Sequence, residues 1–107
     1  MIDLRRTPRV PLQAAVEFSS ESDDVPVRVE GMARDMSLGG MFIETDAPCV
    51  EGERIVIHLT LPKAQRAMSL PAIVRWTSKD GMGVQFGLLG ARDTHDITTF
   101  VAGRGVP

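Results

Sequence analysis

From Val10 to Phe86 the hydropathy of this chain repeats every second residue, in short runs interrupted by glycine, proline and acidic clusters. A period of two is that of a strand with one buried face, so most of the chain is committed to β-structure before any motif is considered. The run VPLQAAVEF sets Val10, Leu12, Ala14, Val16 and Phe18 on one parity, and the polar SSESDDV that follows suits a hairpin loop. Val25, Val27 and Val29 then share the core face of a second strand, which DMSLGG closes, and MFIET forms a third after a Gly39-Gly40 turn. The segment ERIVIHLTLP places Ile55, Ile57, Leu59 and Leu61 inward, between a turn at Gly52 and a stop at Pro62. LPAIVRWT, the five-residue turn SKDGM and GVQF make a closing hairpin with Leu70, Ala72, Val74 and Trp76 on one parity. The period becomes helical only near the end, where Ile97, Phe100 and Val101 stand behind Arg92, Asp93 and Asp96.

Six short strands and one terminal helix predict an all-β fold, a six-stranded antiparallel barrel with a C-terminal helix. Closure removes the exposed sheet edges that an open sheet of this size would have to protect, and the helix is placed to cover one mouth. The 107 residues are enough for one modest core, so residues 1–107 read as a single domain: an arginine-rich arm at 1–9, the barrel at 10–88 and the helix at 91–102. The chain opens on Met1, which fits a whole protein. Twelve basic and fourteen acidic side chains leave a net charge of −2, which removes the general electrostatic case for a nucleic-acid polymer or an anionic membrane as partner. The aromatics Phe18, Phe42, Trp76, Phe86 and Phe100 are too few, and too often on core faces, for a single-strand binding surface. No apolar run is long enough for membrane insertion. The lone cysteine, Cys49, excludes an internal disulfide, and the expected location is the cytoplasm.

Catalytic groupings are scarce. His58, His95 and Cys49 have no neighbours at metal-ligand spacing, Asp23-Asp24 lies in a solvated polar run, and no G-x-S-x-G motif holds a serine for attack. The chain therefore reads as a non-enzyme without metal or cofactor. Two segments carry chemistry instead. LRRTPR gathers Arg5, Arg6 and Arg9 around a Thr7-Pro8 step that disfavours helix, leaving the arginines on an extended arm. Such an arm is either a solvated basic tail or a clamp for phosphate and guanine edges, both of which fit the planar guanidinium fork. DMSLGG places Asp35 and Ser37 two apart, hence on one side of an extended backbone with Met36 on the other, followed by Gly39 and Gly40, which permit positive φ and close approach. It is either a hairpin turn bonding its own amides or a ledge for a guanine amide edge and a phosphate.

In this order and spacing, Arg5-x-x-x-Arg9 and Asp35-x-Ser37-x-x-Gly40 resemble the paired motifs of the PilZ domain family of bacterial cyclic di-GMP receptors, and the IVRW and GMGVQF runs resemble its last strands. The resemblance implies cyclic di-GMP held outside the barrel, with Arg5 and Arg9 on guanine edges and phosphates, Asp35 on a guanine, Ser37 on a phosphate or base atom, and Gly40 giving clearance. Arg6 is an additional arginine for the same ligand, and Gly39 and Trp76 are secondary candidates. Trp76 matches a position that flanks the ligand, while its parity with Leu70, Ala72 and Val74 assigns it to the core. Binding is expected to order the arm and offer a new surface to a downstream protein partner. The alternative is a ligand-independent adaptor acting through protein contacts in motility or secretion.

Overall fold

The first strand follows the alternation read from the sequence. In the computed structural model, which describes residues 9–22, 24, 27–62 and 66–105, strand β1 (Val10–Ser20) buries Val10, Leu12, Ala14, Val16 and Phe18. Strand β4 (Arg54–Leu59) likewise buries Ile55, Ile57 and Leu59, with Leu61 just beyond it. The remaining strands are β2 (Val29–Met36), β3 (Gly40–Glu44), β5 (Met68–Ser78) and β6 (Gly81–Phe86). Every pairing is antiparallel, and the order β1-β2-β3-β6-β5-β4 closes into a barrel. This is the all-β, six-stranded closed barrel that the alternation predicts. Its interior is filled by inward side chains from all six strands, among them Phe18, Met36, Met41, Ile43, Ile57, Leu70 and Met82.

Several boundaries differ from the sequence reading, and β1 itself runs on through Ser19 and Ser20, which pair with Val56 and Ile55 instead of opening the hairpin loop. The second strand starts at Val29, which pairs with Phe18, and Val27 ahead of it is 66% exposed rather than on the core face; Val25 lies outside the described residues. The β5–β6 turn is shorter than SKDGM, since Ser78 pairs with Gly81 and Met82 is fully buried in β6. The helix α1 spans Ala91–Gly105. Ile97 enters the barrel mouth fully buried, with Phe100 and Val101 packed partly against the core. Arg66, in the β4–β5 connection, ties α1 down by donating from Nη2 to Asp93 (2.9 Å) and Asp96 (2.5 Å). Asp93 also lies in the first turn of α1, where a carboxylate complements the helix dipole. Among the described residues, no helix is long and apolar enough to cross a membrane.

Candidate functional site

Two register shifts shape the outer face of the β2-β3-β6-β5 side. On β2, Ala33 pairs with Ile43 and Asp35 with Phe42, so one extra residue, Arg34, is accommodated between them. Ala33 faces the core, and strict alternation would send Asp35 inward as well. The bulge turns it out, leaving Met36 buried. On β5, Val74 pairs with Val84 and Trp76 with Gly83, with Arg75 as the extra residue. Val74 is fully buried, whereas Trp76 is 47% exposed. The core assignment of Trp76 from parity is thus corrected by a bulge that reverses its face.

The two bulges bring four residues into line. Asp35 faces Phe42, Phe42 faces Gly83, and Gly83 faces Trp76, a row perpendicular to the strands and about 14 Å long at the usual ~4.8 Å interstrand spacing. At one end, Asp35 Oδ1 accepts the Phe42 backbone N–H (3.1 Å) and Arg9 Nη1–H (2.9 Å). At the other, the rings of Trp76 and Phe42 stack with centroids 5.3 Å apart and planes 19° from parallel. Beside the row, Arg34 makes a two-pronged contact with Glu44 (3.1 and 3.0 Å) and Arg75 Nε donates to Gln85 Oε1 (2.6 Å). Hydrogen bonding to Glu44 raises the Arg34 guanidinium above its ordinary value, and hydrogen bonding to Arg34 holds the Glu44 carboxyl below its own.

Arg9, at the end of the arginine segment, therefore meets Asp35 of the second motif. Arg5 and Arg6 lie outside the described residues. Ser37 does not share a face with Asp35 as the two-residue spacing suggests, because β2 ends at Met36 and Ser37 turns into the β2–β3 connection, fully buried. Its N–H donates to the Gly40 carbonyl (2.8 Å), its Oγ accepts the Gly39 N–H (3.2 Å), and the hydroxyl makes a long contact to the Gly40 carbonyl (3.5 Å). Gly40 has no room beyond Cα: a Cβ there would lie 2.0 Å from the Val84 carbonyl oxygen, so its missing side chain lets β3 approach β6. Left-handed φ, which Gly39 and Gly40 would permit, occurs among the described glycines at Gly52, where φ is 90°. Phe42 and Gly83 belong to the row and were not singled out by sequence. Phe42 carries a faint signal, an aromatic on the outward parity of MFIET between buried Met41 and Ile43. Among the described residues, no group of three His, Cys, Asp or Glu side chains is arranged to hold a metal ion.

A family model described as PilZ domain matches residues 3–103. Among solved structures the chain is similar to the PilZ domain of CeSA from a cellulose-synthesizing bacterium, with TM-score 0.74 and 18% identity over 94% of this chain and 100% of that one. It is similar to the PilZ domain of YcgR from Escherichia coli, a structure with c-di-GMP, with TM-score 0.74 and 14% identity over 96% of this chain and 92% of that one. It is also similar to the Bacillus subtilis inhibitor of motility MotI/DgrA, with TM-score 0.74 and 18% identity over 97% of this chain and 52% of that one. No curated protein matches the chain in sequence. At these identities the three structures share the barrel and its helix with this protein. With the family model covering nearly its whole length, the chain belongs to the PilZ domain family.

Proposed function

We propose that this protein is a cyclic di-GMP receptor that binds the nucleotide outside the barrel, between its N-terminal arginine segment and the row beginning at Asp35. The observation that carries this reading is the 2.9 Å contact between Arg9 and Asp35, which joins the two motifs on one face. Arg5, Arg6 and Arg9 supply guanidinium forks for the two phosphates and the guanine O6/N7 edges, and Asp35 supplies the acceptor for the guanine amide edge. Ser37, Gly39 and Gly40 serve the site through the turn they build, whose internal bonds hold Asp35 at the end of β2. Fixing each residue of the arm costs about 1–2 kcal/mol of conformational entropy, which charge-assisted hydrogen bonds to the ligand must offset. The arm so ordered is the surface offered to a protein partner in the cytoplasm, and no catalytic step is involved.

Calorimetric titration of the full chain with cyclic di-GMP tests the reading. Saturable binding by the wild type, weakened at least tenfold in both Arg5→Ala and Arg9→Ala with unchanged far-ultraviolet circular dichroism, is the expected result. Absence of binding by the folded wild type would overturn it.

A further inference from the structure

The charges of the barrel are divided between its two halves. In the closed order β1-β2-β3-β6-β5-β4 the strands β6, β5 and β4 are contiguous, and none of them contains an aspartate or glutamate. The other three carry Glu17, Glu30, Asp35 and Glu44, of which Glu17, Asp35 and Glu44 are ion-paired with Arg28, Arg9 and Arg34. The arginines of the carboxylate-free half, Arg54 on β4 and Arg75 on β5, have no ion-pair partner among the described residues, and Arg75 donates to the neutral amide of Gln85. Between and beside them the outer surface is apolar. Arg54 faces Ile73 and Val56 faces Pro71, and since Pro71 and Ile73 stand two apart on β5, the two pairs lie side by side on one surface. Val56, Pro71 and Ile73 are each half-buried. The Pro71 carbonyl accepts the Gly87 N–H (2.8 Å) as the chain leaves β6, and the next residue, Leu88, is 96% exposed.

We propose that the outer face of β4 and β5, with Leu88 at its margin, docks an acidic segment of a protein partner: Leu88, Val56, Pro71 and Ile73 receive its apolar side chains, and Arg54 and Arg75 its carboxylates. Charge complementarity selects this occupant. On a chain of net charge −2, a strip without carboxylates, apolar at its centre and edged by unneutralised arginines, has the composition of an interface rather than of ordinary surface. A nucleic acid would call for a wider array of cations than two guanidinium groups, and it would leave the apolar strip unused. A membrane would call for more than one protruding apolar side chain. A second copy of this chain does not fit, because three of the four carboxylates on its β1–β3 half are already held by its own arginines, and such a head-to-tail contact would not close on itself. The face is built by strands alone, so the proposal does not rest on the nucleotide reading.

The test follows amide chemical shifts of the isotope-labelled full chain during titration with a synthetic glutamate-rich peptide carrying spaced leucines. Its counterpart, with glutamine in place of every glutamate, is titrated in parallel. The acidic peptide is expected to bind saturably, with its shifts on β4, β5 and the residues after Phe86. Leu88→Ser, at a position with almost no packing to lose, should weaken binding about tenfold, as removal of one buried leucine does. Arg54→Glu should weaken it about fivefold, whereas Arg28→Glu, the same change of charge beside β1, should leave it within about twofold. The proposal is overturned if the glutamine counterpart binds as tightly, if the shifts fall on β1–β3, if Leu88→Ser binds as the wild type does, or if Arg28→Glu costs as much as Arg54→Glu. A single-stranded oligonucleotide or phosphatidylglycerol vesicles holding this face more tightly than the acidic peptide would overturn it as well, and so would a folded wild type that does not bind the peptide.

Discussion

Replacing Gly40 by alanine separates a glycine required by the barrel from one required by a ligand. The added Cβ would stand 2.0 Å from the Val84 carbonyl oxygen, 3.1 Å from its carbon and 3.2 Å from the Gln85 Cα, all backbone of β6. Since ordinary contact begins near 3.4 Å, the strands must part by about 1.4 Å. One bond crosses to β6 at this point, Phe86 N–H to the Gly39 carbonyl, 2.8 Å. Such a displacement takes it past the ~3.2 Å limit of a good N–H···O bond. Overpacking of this kind costs about 1–3 kcal/mol and the weakened backbone bond about 1 kcal/mol, so the expected loss is about 2–4 kcal/mol. For a domain of this size that corresponds to a melting temperature lower by at least about 8 °C. Urea denaturation followed by far-ultraviolet circular dichroism measures it, with Gly83→Ala as the control expected to lose less than about 1 kcal/mol because an indole can swing aside. A Gly40→Ala protein within about 1 kcal/mol of the wild type, yet deficient in nucleotide binding, would refute the reasoning and return Gly40 to the ligand.

Three further outcomes follow from the contacts around the barrel. Asp35→Ala removes the acceptor of the Phe42 N–H and the partner of Arg9. Because that ion pair is 39% and 34% exposed, the stability lost in a urea melt should be only about 1–2 kcal/mol, and Asp35→Asn should recover part of it. Arg66→Ala frees α1 from the β4–β5 connection and should lower the urea midpoint, with faster amide exchange in the helix and a gap to the wild type that narrows in high salt; an equal gap in high salt would count against the ion pairs. Burial, and then the Arg28 charge, hold the His58 imidazole below its ordinary value of 6.5, against the opposing pull of Glu17. The unfolded chain then binds this proton more readily, so the contribution is present above pH 6.5 and is lost as the pH falls toward the folded value. His58→Gln should flatten the urea-midpoint profile between about pH 5 and pH 7.5, and an NMR titration placing His58 at or above 6.5 would contradict this.

The parts of the fold that hydropathy made legible are those where alternation and pairing agree. β1 and β4 contribute inward residues at every second position, so Val16, Phe18, Ile55 and Ile57 could be assigned without knowing their partners. Alternation records parity but not register, and register depends on strands far apart in sequence. Val27 has the parity of Val29, yet it lies before the point where Phe18 begins to pair with β2. The same difficulty decides the site. Asp35 shares parity with buried Ala33, and Trp76 with buried Val74, and in each case one arginine inserted by a bulge reverses the face. For Asp35 the polar side chain itself contradicts a core position, so the outward reading survives. For Trp76 nothing local contradicts it, because an indole suits a core as well as a surface, and the parity argument fails silently. The motifs marked Arg9 and Asp35, but the row from Asp35 through Phe42 and Gly83 to Trp76 depends on two bulges falling at the same level of strands more than thirty residues apart. That level is a property of pairing across four strands, so no local window of sequence contains it, and Gly83 acquires its meaning only when Trp76 is seen lying over it.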